Sequence, residues 1–344
     1  MERFITKANL TRLAEDLAST CRVLAPVATG GTVTFKRFQP GMTMDLHSRM
    51  AAVSPKAATF PQTETLLVVK REGEHKKPEL IETLPMDKSV VIGCRPCGAR
   101  GKLIFNPVYE TDTIKDPYFM TRRDSTVFIT LACDRPETTC FCHSVGSGPA
   151  DTAGSDVLLT QVGEGYVAKS VTPQGEEIMK LALFEDAGAR GQEAEAKNAK
   201  AQEMMGQAHD YASAPAKILA RFDDMDFWAA QSAKCISCGA CTYMCPTCYC
   251  FNITDDDLGL NSRRIRTWDN CMSHTFTLEG SGHNPRSTKA HRLKNRVGHK
   301  FSYYPDLHQG VIACCGCGRC IKQCPAGVDI RQIVKAAQDR KSVV

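Results

Sequence analysis

Two cysteine runs near the C-terminal end repeat one spacing, Cys235-x2-Cys238-x2-Cys241-x3-Cys245-Pro246 and Cys314-x2-Cys317-x2-Cys320-x3-Cys324-Pro325. Three thiolates at i, i+3 and i+6 wrap one corner of a cuboidal metal–sulfur cluster, because a short loop turns its side chains and N–H groups inward. The fourth cysteine points elsewhere, and in the bacterial two-cluster pattern it serves the other cluster. The spacing therefore predicts two [4Fe-4S] clusters with crossed ligands: Cys235, Cys238, Cys241 and Cys324 for one, and Cys314, Cys317, Cys320 and Cys245 for the other. Pro246 and Pro325 have fixed φ and no N–H to donate, which suits a sharp exit from each loop. Structural zinc also uses C-x2-C pairs, but a zinc site needs four ligands and gives no reason for a doubled run ending in proline.

The remaining composition agrees with this chemistry. The chain has 344 residues, long enough for two domains, and 18 cysteines at metal-ligand spacing rather than in the framework of a small secreted protein, which points to a reducing compartment. Residues 1–17 mix Glu2, Arg3, Lys7, Arg12, Glu15 and Asp16 with apolar positions and read as an amphipathic helix, not a signal sequence. No stretch approaches the ~18 consecutive apolar residues of a membrane helix, so a cytoplasmic protein without direct membrane insertion is expected. The formal charge of +5 is offset by anionic clusters, which leaves nucleic-acid binding without support.

The fold class expected is α+β: an N-terminal α/β domain followed by a helical, insertion-bearing two-[4Fe-4S] ferredoxin-like domain. The first, residues 1–185, rests on a strand at 63–70, on short β-branched runs at 89–93 and 125–131, and on a hairpin over 156–171. Residues 186–226, rich in Ala, Glu, Gln and Lys at their start, read as a helical linker, first a solvated spacer and then an amphipathic segment with Ile218, Leu219, Phe222, Phe227 and Trp228 at its edge. Residues 227–344 form the dicluster domain, with residues 246–313 inserted between the runs. The insertion carries Arg263, Arg264, Arg266, Arg286, Lys289, Arg292, Lys294, Arg296 and Lys300. A solvated face is the expected use of such a charge run, ahead of an electrostatic offset for the clusters or a docking patch.

The two buried-type strand runs lead into cysteines, and Cys97, Cys133, Cys140 and Cys142 offer four thiolates for a third Fe-S cluster. Zinc and uncommitted thiols are the alternatives, and Cys94 is the spare. Cys248, Cys250 and Cys271 form a further candidate site for a fourth cluster or zinc, with Cys315, His274, His283 or His299 as fourth ligand. The bland reading is that they line the cluster pocket as small apolar residues. Cys21 reads as an ordinary thiol.

Across both domains the chain resembles the Fe-S β subunits of cytoplasmic sulfhydrogenase-type NiFe hydrogenases, together with the related Fe-S subunits of anaerobic sulfite reductase and of flavin oxidoreductases coupled to heterodisulfide reductase. The carriers are Ser54-Pro-Lys56, Phe60-Pro-Gln-Thr-Glu-Thr65, Gly93-Cys-Arg-Pro-Cys97, Asp116-Pro-Tyr-Phe with Arg122-Arg123, Cys133 with Cys140-Phe-Cys142, Cys245-Pro-Thr-Cys-Tyr-Cys250, Trp268-Asp-Asn-Cys-Met272, Gly282-His-Asn-Pro-Arg286 and Cys317-Gly-Arg-Cys320. Gly98 departs from the acidic residue of many relatives, and Cys315 duplicates its neighbouring ligand. The resemblance implies a component of an oxidoreductase complex. It would relay electrons between a flavin- and nicotinamide-binding subunit and a catalytic redox subunit, without substrate turnover of its own. No Gly-x-Gly-x-x-Gly fingerprint or catalytic triad stands out, in keeping with that expectation. The rival expectation is a reductase component whose site-differentiated cluster, held by only three protein ligands, acts directly on a sulfur substrate.

Overall fold

The computed structural model describes residues 1–73 and 77–339. Its larger sheet is built, in chain order, from β1 (Glu2–Thr6), β2 (Arg22–Thr29), β3 (Thr32–Arg37), β6 (Ser89–Cys94), β7 (Thr126–Leu131), β8 (Val157–Val162), β9 (Gly165–Ser170) and β10 (Glu185–Asp186). These eight strands lie side by side in the order β10-β1-β9-β8-β7-β6-β2-β3. Strands β2, β6, β7 and β8 run parallel, with antiparallel strands on both flanks. Every residue of β6 is buried, as expected of a central parallel strand covered on both faces. The first seventeen residues differ from expectation: residues 2–6 are β1, and the helix starts only at Lys7. The Thr6 hydroxyl caps that helix by accepting from the Asn9 N–H at 3.1 Å, and the helix lays Leu10, Leu13 and Ala14 on the sheet core beside Ile5, Val23, Ile92 and Ile129.

A second sheet is formed by β4 (Thr63–Lys70), β5 (Glu79–Glu82), β11 (Phe251–Asp256) and β12 (Asn261–Trp268), in the order β11-β12-β4-β5 and all antiparallel. The insertion between the cysteine runs is thus no free-standing appendage, since its hairpin completes a sheet with strands from the N-terminal part. A buried ion network fixes the join: Arg266 of β12 pairs with Glu64 of β4 at 2.7 Å and with Asp116, while Arg122 pairs with Glu64 as well. Asp116 also caps the helix Pro117–Asp124 by accepting from the Phe119 N–H. Trp268 donates to the Phe60 carbonyl at 3.1 Å, beside an aromatic cluster of Phe60, Phe105, Tyr109 and Phe119.

The stretch expected to be a solvated spacer also packs. Its helix Arg190–Glu203 buries Gly191, Ala194 and Ala201, the small residues that let it approach the face of the large sheet over β8 and β9. The helices Ala214–Ala220, Met225–Ser232, Lys289–Gly298 and Ile330–Gln338 then build a core from Ile218, Trp228, Leu293, Val297, Ile333 and Val334. Trp228 is fully buried, with its indole N–H donated to the Arg221 carbonyl at 2.8 Å.

Candidate metal centre

Both cysteine runs fold into the same loop. Ser237 (φ 58°) and Gly316 (φ 61°) hold equivalent positions, as do Gly239 (φ 75°) and Gly318 (φ 72°), so each loop enters left-handed backbone twice. Ser237 accepts that cost without being glycine. The turn aims an N–H at sulfur in both runs: Ser237 N–H donates to Cys235 Sγ and Gly316 N–H to Cys314 Sγ, each at 3.4 Å. Gly239 and Gly318 then start the short helices Ala240–Tyr243 and Arg319–Lys322, which carry Cys241 and Cys320. Cys324 receives the Val328 N–H at 3.3 Å.

Cys235, Cys238, Cys241 and Cys324 line one cavity together with Cys320 and Arg296. Cys238 is exposed and its neighbour Ile236 is 66% exposed, so this set opens to the surface. Cys245, Cys314 and Cys317 are buried and Cys320 is half-buried, and each of Cys245, Cys314 and Cys317 acts electrostatically on Cys320. Burial pushes the Cys241, Cys314 and Cys320 thiols up, Cys314 to about 12. The Cys245 sulfur is held well below the usual thiol range, first by the bond it accepts from Cys248 and then by Lys300 and Arg296.

The N-terminal cysteines come from one end of the large sheet. Strands β6 and β7 are parallel neighbours, so the loops after them, bearing Cys97 and Cys133, emerge side by side, where α/β sheets concentrate binding residues. Arg95 ties these loops by donating to the Ala132 carbonyl at 2.7 Å and the Ser48 carbonyl at 2.8 Å. Cys133 acts electrostatically on Cys97, Cys140 and Cys142, placing the four thiols around one locus. Cys94 instead packs in an apolar cluster with Val91 and Phe128. Burial pushes the Cys140 thiol up to about 11, and those of Cys94 and Cys142 to about 12. Gly98 is buried against Pro55, with room for a Cβ only at 3.2 Å, so an acidic side chain would crowd this loop.

This locus adjoins the second cysteine run directly. Phe141 N–H donates to the Gly316 carbonyl at 2.8 Å, and Cβ atoms at Gly316 and Gly318 would lie 2.5 Å and 2.4 Å from the backbone of Cys142 and Thr139. The Cys97 and Cys315 thiols both donate to the Cys317 sulfur, lowering its pKa. Cys315 therefore joins this junction, not the Cys248 group for which it was a candidate ligand.

Cys248, Cys250 and Cys271 line one cavity of about 270 Å³ with Arg296, His299 and Lys300, and neither His274 nor His283 is among its walls. Burial, helped by Lys300 and Arg296, drives the His299 imidazole down to about 3, so it is neutral. Among the described residues, no three His, Cys, Asp or Glu side chains converge closely enough to hold a single metal ion.

The basic run differs most from expectation. Arg263 and Arg264 are surface partners of Asp256 and Asp255, but Arg266, Arg292, Arg296 and Lys300 are buried. Their helical spacing sets Arg292, Arg296 and Lys300 on one face, turned toward the cysteine loops. Arg296 donates to Cys248 Sγ at 3.3 Å and to the Cys241 carbonyl at 2.7 Å. Lys300 donates to Thr247 Oγ1 and to the Ala313 carbonyl, both at 2.7 Å. Lys56 donates to the Cys248 carbonyl at 3.0 Å from a position over the Trp268 ring. Burial opposes the charge on Arg296 and Lys300, yet the surrounding sulfurs outweigh it and raise both pKa values. A buried cation costs several kcal/mol unless an anion lies close, and sulfur supplies it here. Four thiols per locus, N–H groups aimed at sulfur and cations without carboxylates together fit anionic [4Fe-4S] clusters.

Residues 234–328 match the family model of the 4Fe-4S dicluster domain. The chain is 28% identical over 319 residues to sulfhydrogenase 2 subunit beta of Pyrococcus furiosus, covering 90% of each chain. No solved structure matches. No helix among the described residues is long and apolar enough to cross a membrane.

Proposed function

The dicluster domain and the similarity along nine-tenths of the chain support a sulfhydrogenase-type Fe-S β-subunit family, and from that premise we propose that the chain is the electron relay of a redox complex. It would stand between a flavin- and nicotinamide-binding subunit and a catalytic partner such as a hydrogenase, sulfite reductase or heterodisulfide reductase. The carrying observation is the row of thiol sets: one at Cys235, Cys238, Cys241 and Cys324, a second at Cys314, Cys317, Cys320 and Cys245, a third at Cys97, Cys133, Cys140 and Cys142. When bound, [4Fe-4S] clusters supply one-electron carriers at these places. The chain's own part is to hold the sulfurs, direct N–H groups at them, keep water from the middle set and let Cys238 reach the surface at one end.

A second reading is supported by the cavity at Cys248, Cys250 and Cys271, whose cationic wall of Arg296 and Lys300 suits an anionic sulfur substrate at a site-differentiated cluster. One experiment separates them. Anaerobically purified protein is reduced with dithionite and offered a viologen or flavin acceptor, and in parallel polysulfide with reduced viologen as donor. The relay reading expects rapid discharge to the acceptor and no sulfide formation by this chain alone. Sulfide production would favour the second reading, and a protein that takes up no electrons would overturn both.

A further inference from the structure

Two buried guanidinium groups occupy corresponding places in the row of thiol sets. Arg296 donates to the Cys248 sulfur and the Cys241 carbonyl, and the sulfurs of Cys241, Cys320 and Cys245 all act on it. It therefore stands between the set of Cys235 and the set of Cys314. Arg319 donates to the Ala51 carbonyl at 3.0 Å and to Cys97 Sγ at 3.6 Å, and the sulfurs of Cys317, Cys97 and Cys315 act on it. It stands between the set of Cys314 and the N-terminal set. Among the described residues the donors of both go to sulfur and to main-chain carbonyls rather than to a carboxylate.

The internal repeat makes the second placement informative. Arg319 follows the left-handed Gly318, and its counterpart after Gly239 in the first run is Ala240. The two loops share a backbone, so the loop itself does not require arginine; only the run facing the N-terminal cysteines carries one. We propose that Arg296 and Arg319 are paired positioning residues, each setting the reduction potentials of both cluster sites it adjoins. A cation shared by two anionic centres in a low-dielectric interior favours the more negative, reduced state of each. Each arginine thus lifts the potentials of its two neighbours together and keeps electron exchange between them close to level. This inference rests on the relay reading.

The test uses full-length, anaerobically purified protein as wild type, Arg296→Met, Arg296→Lys, Arg319→Met and Arg319→Lys. Iron content is measured first, then EPR-monitored redox titrations, each signal assigned by its loss on Cys→Ser substitution at one ligand of its set. Arg296→Met should make the sets of Cys235 and Cys314 at least tenfold harder to reduce at a given potential, a downward shift of 59 mV for one electron, and leave the N-terminal set unmoved. Arg319→Met should shift the set of Cys314 and the N-terminal set, sparing the set of Cys235. Both lysine variants should stay near wild type. Shifts confined to one site, or equal for Lys and Met, would overturn the proposal. If a Met variant loses iron, its Lys counterpart decides: retained iron at wild-type potentials upholds the role of charge, and equal loss assigns mere packing and overturns it. Wild-type protein without an N-terminal signal would sink the relay reading of that site instead.

Discussion

Substituting Gly318 by alanine should separate the cysteine loop of the N-terminal part from the second cysteine run. The residue sits at φ 72°, and an added Cβ would lie 2.4 Å from the Thr139 carbonyl oxygen and 2.6 Å from its carbon. Two costs combine: about 1–2 kcal/mol for an L-residue in left-handed backbone, and about 1–3 kcal/mol for overpacking against main chain that has no rotamer to change. Together they amount to about 2–5 kcal/mol. Gly206 supplies the control, since at φ 67° it has nothing within 4 Å, so Gly206→Ala should carry only the backbone cost. Gly239→Ala should fall between, because at φ 75° its Cβ would meet the Asn270 side chain at 2.8 Å, which can swing aside after losing its bonds to the Met272 N–H and Tyr243 hydroxyl. Anaerobic urea denaturation followed by far-UV circular dichroism gives the order, and iron analysis should show Gly318→Ala losing metal from the N-terminal set first. A Gly318→Ala protein as stable as Gly206→Ala, with full iron, would refute the close approach of the two loops.

Removing one partner from the buried network joining β4 and β12 should be far costlier than removing a surface pair: Glu64→Gln is expected to cost about 3–5 kcal/mol, against only a small, salt-screened loss for Arg264→Ala at its exposed pair with Asp255. Denaturation midpoints compare them, and similar values would contradict the role given to the network. Cys97→Ser should lower bound iron by about four atoms per chain, as one lost [4Fe-4S] site requires, whereas Cys94→Ser, changed inside an apolar cluster, should leave iron unchanged. Cys21→Ser should leave bound iron unchanged, since that half-buried thiol bonds to the Leu17 carbonyl and packs at the margin of the sheet core, away from the thiol sets. Loss of iron in that variant would give Cys21 a role this account denies it.

What could be read from the sequence was local. The i, i+3, i+6 spacing and its doubling marked both C-terminal thiol sets because a loop of that length turns its side chains inward whatever lies around it. Cys97 and Cys133 were legible as residues at the ends of two buried strands, and parallel pairing of those strands brings them side by side. Features needing a distant partner were not legible. Nothing in residues 251–268 announces that β12 will pair with β4, since an alternating strand carries no record of its neighbour. The basic run looked like a solvated face because charge usually stays in water. Arg296 and Lys300 are buried because their counter-charge is sulfur from other parts of the chain, and Arg292 because the Arg286 and Ser287 carbonyls and the Ser237 hydroxyl take up its donors. The spacing of 292, 296 and 300, one helical face, was a usable signal, as was the arginine at 319 where the sister run has Ala240. Cys315 misled by proximity, since its thiol points at Cys317.

Iron and zinc content of anaerobically purified protein, with EPR of the reduced sample, tests the central claim most directly. The proposed relay of three four-cysteine cluster sites predicts about twelve irons per chain, no zinc and signals from more than two interacting centres. About eight irons accompanied by zinc would contradict it, confining electron transfer to the doubled cysteine run and leaving Cys97, Cys133, Cys140 and Cys142 with a structural task.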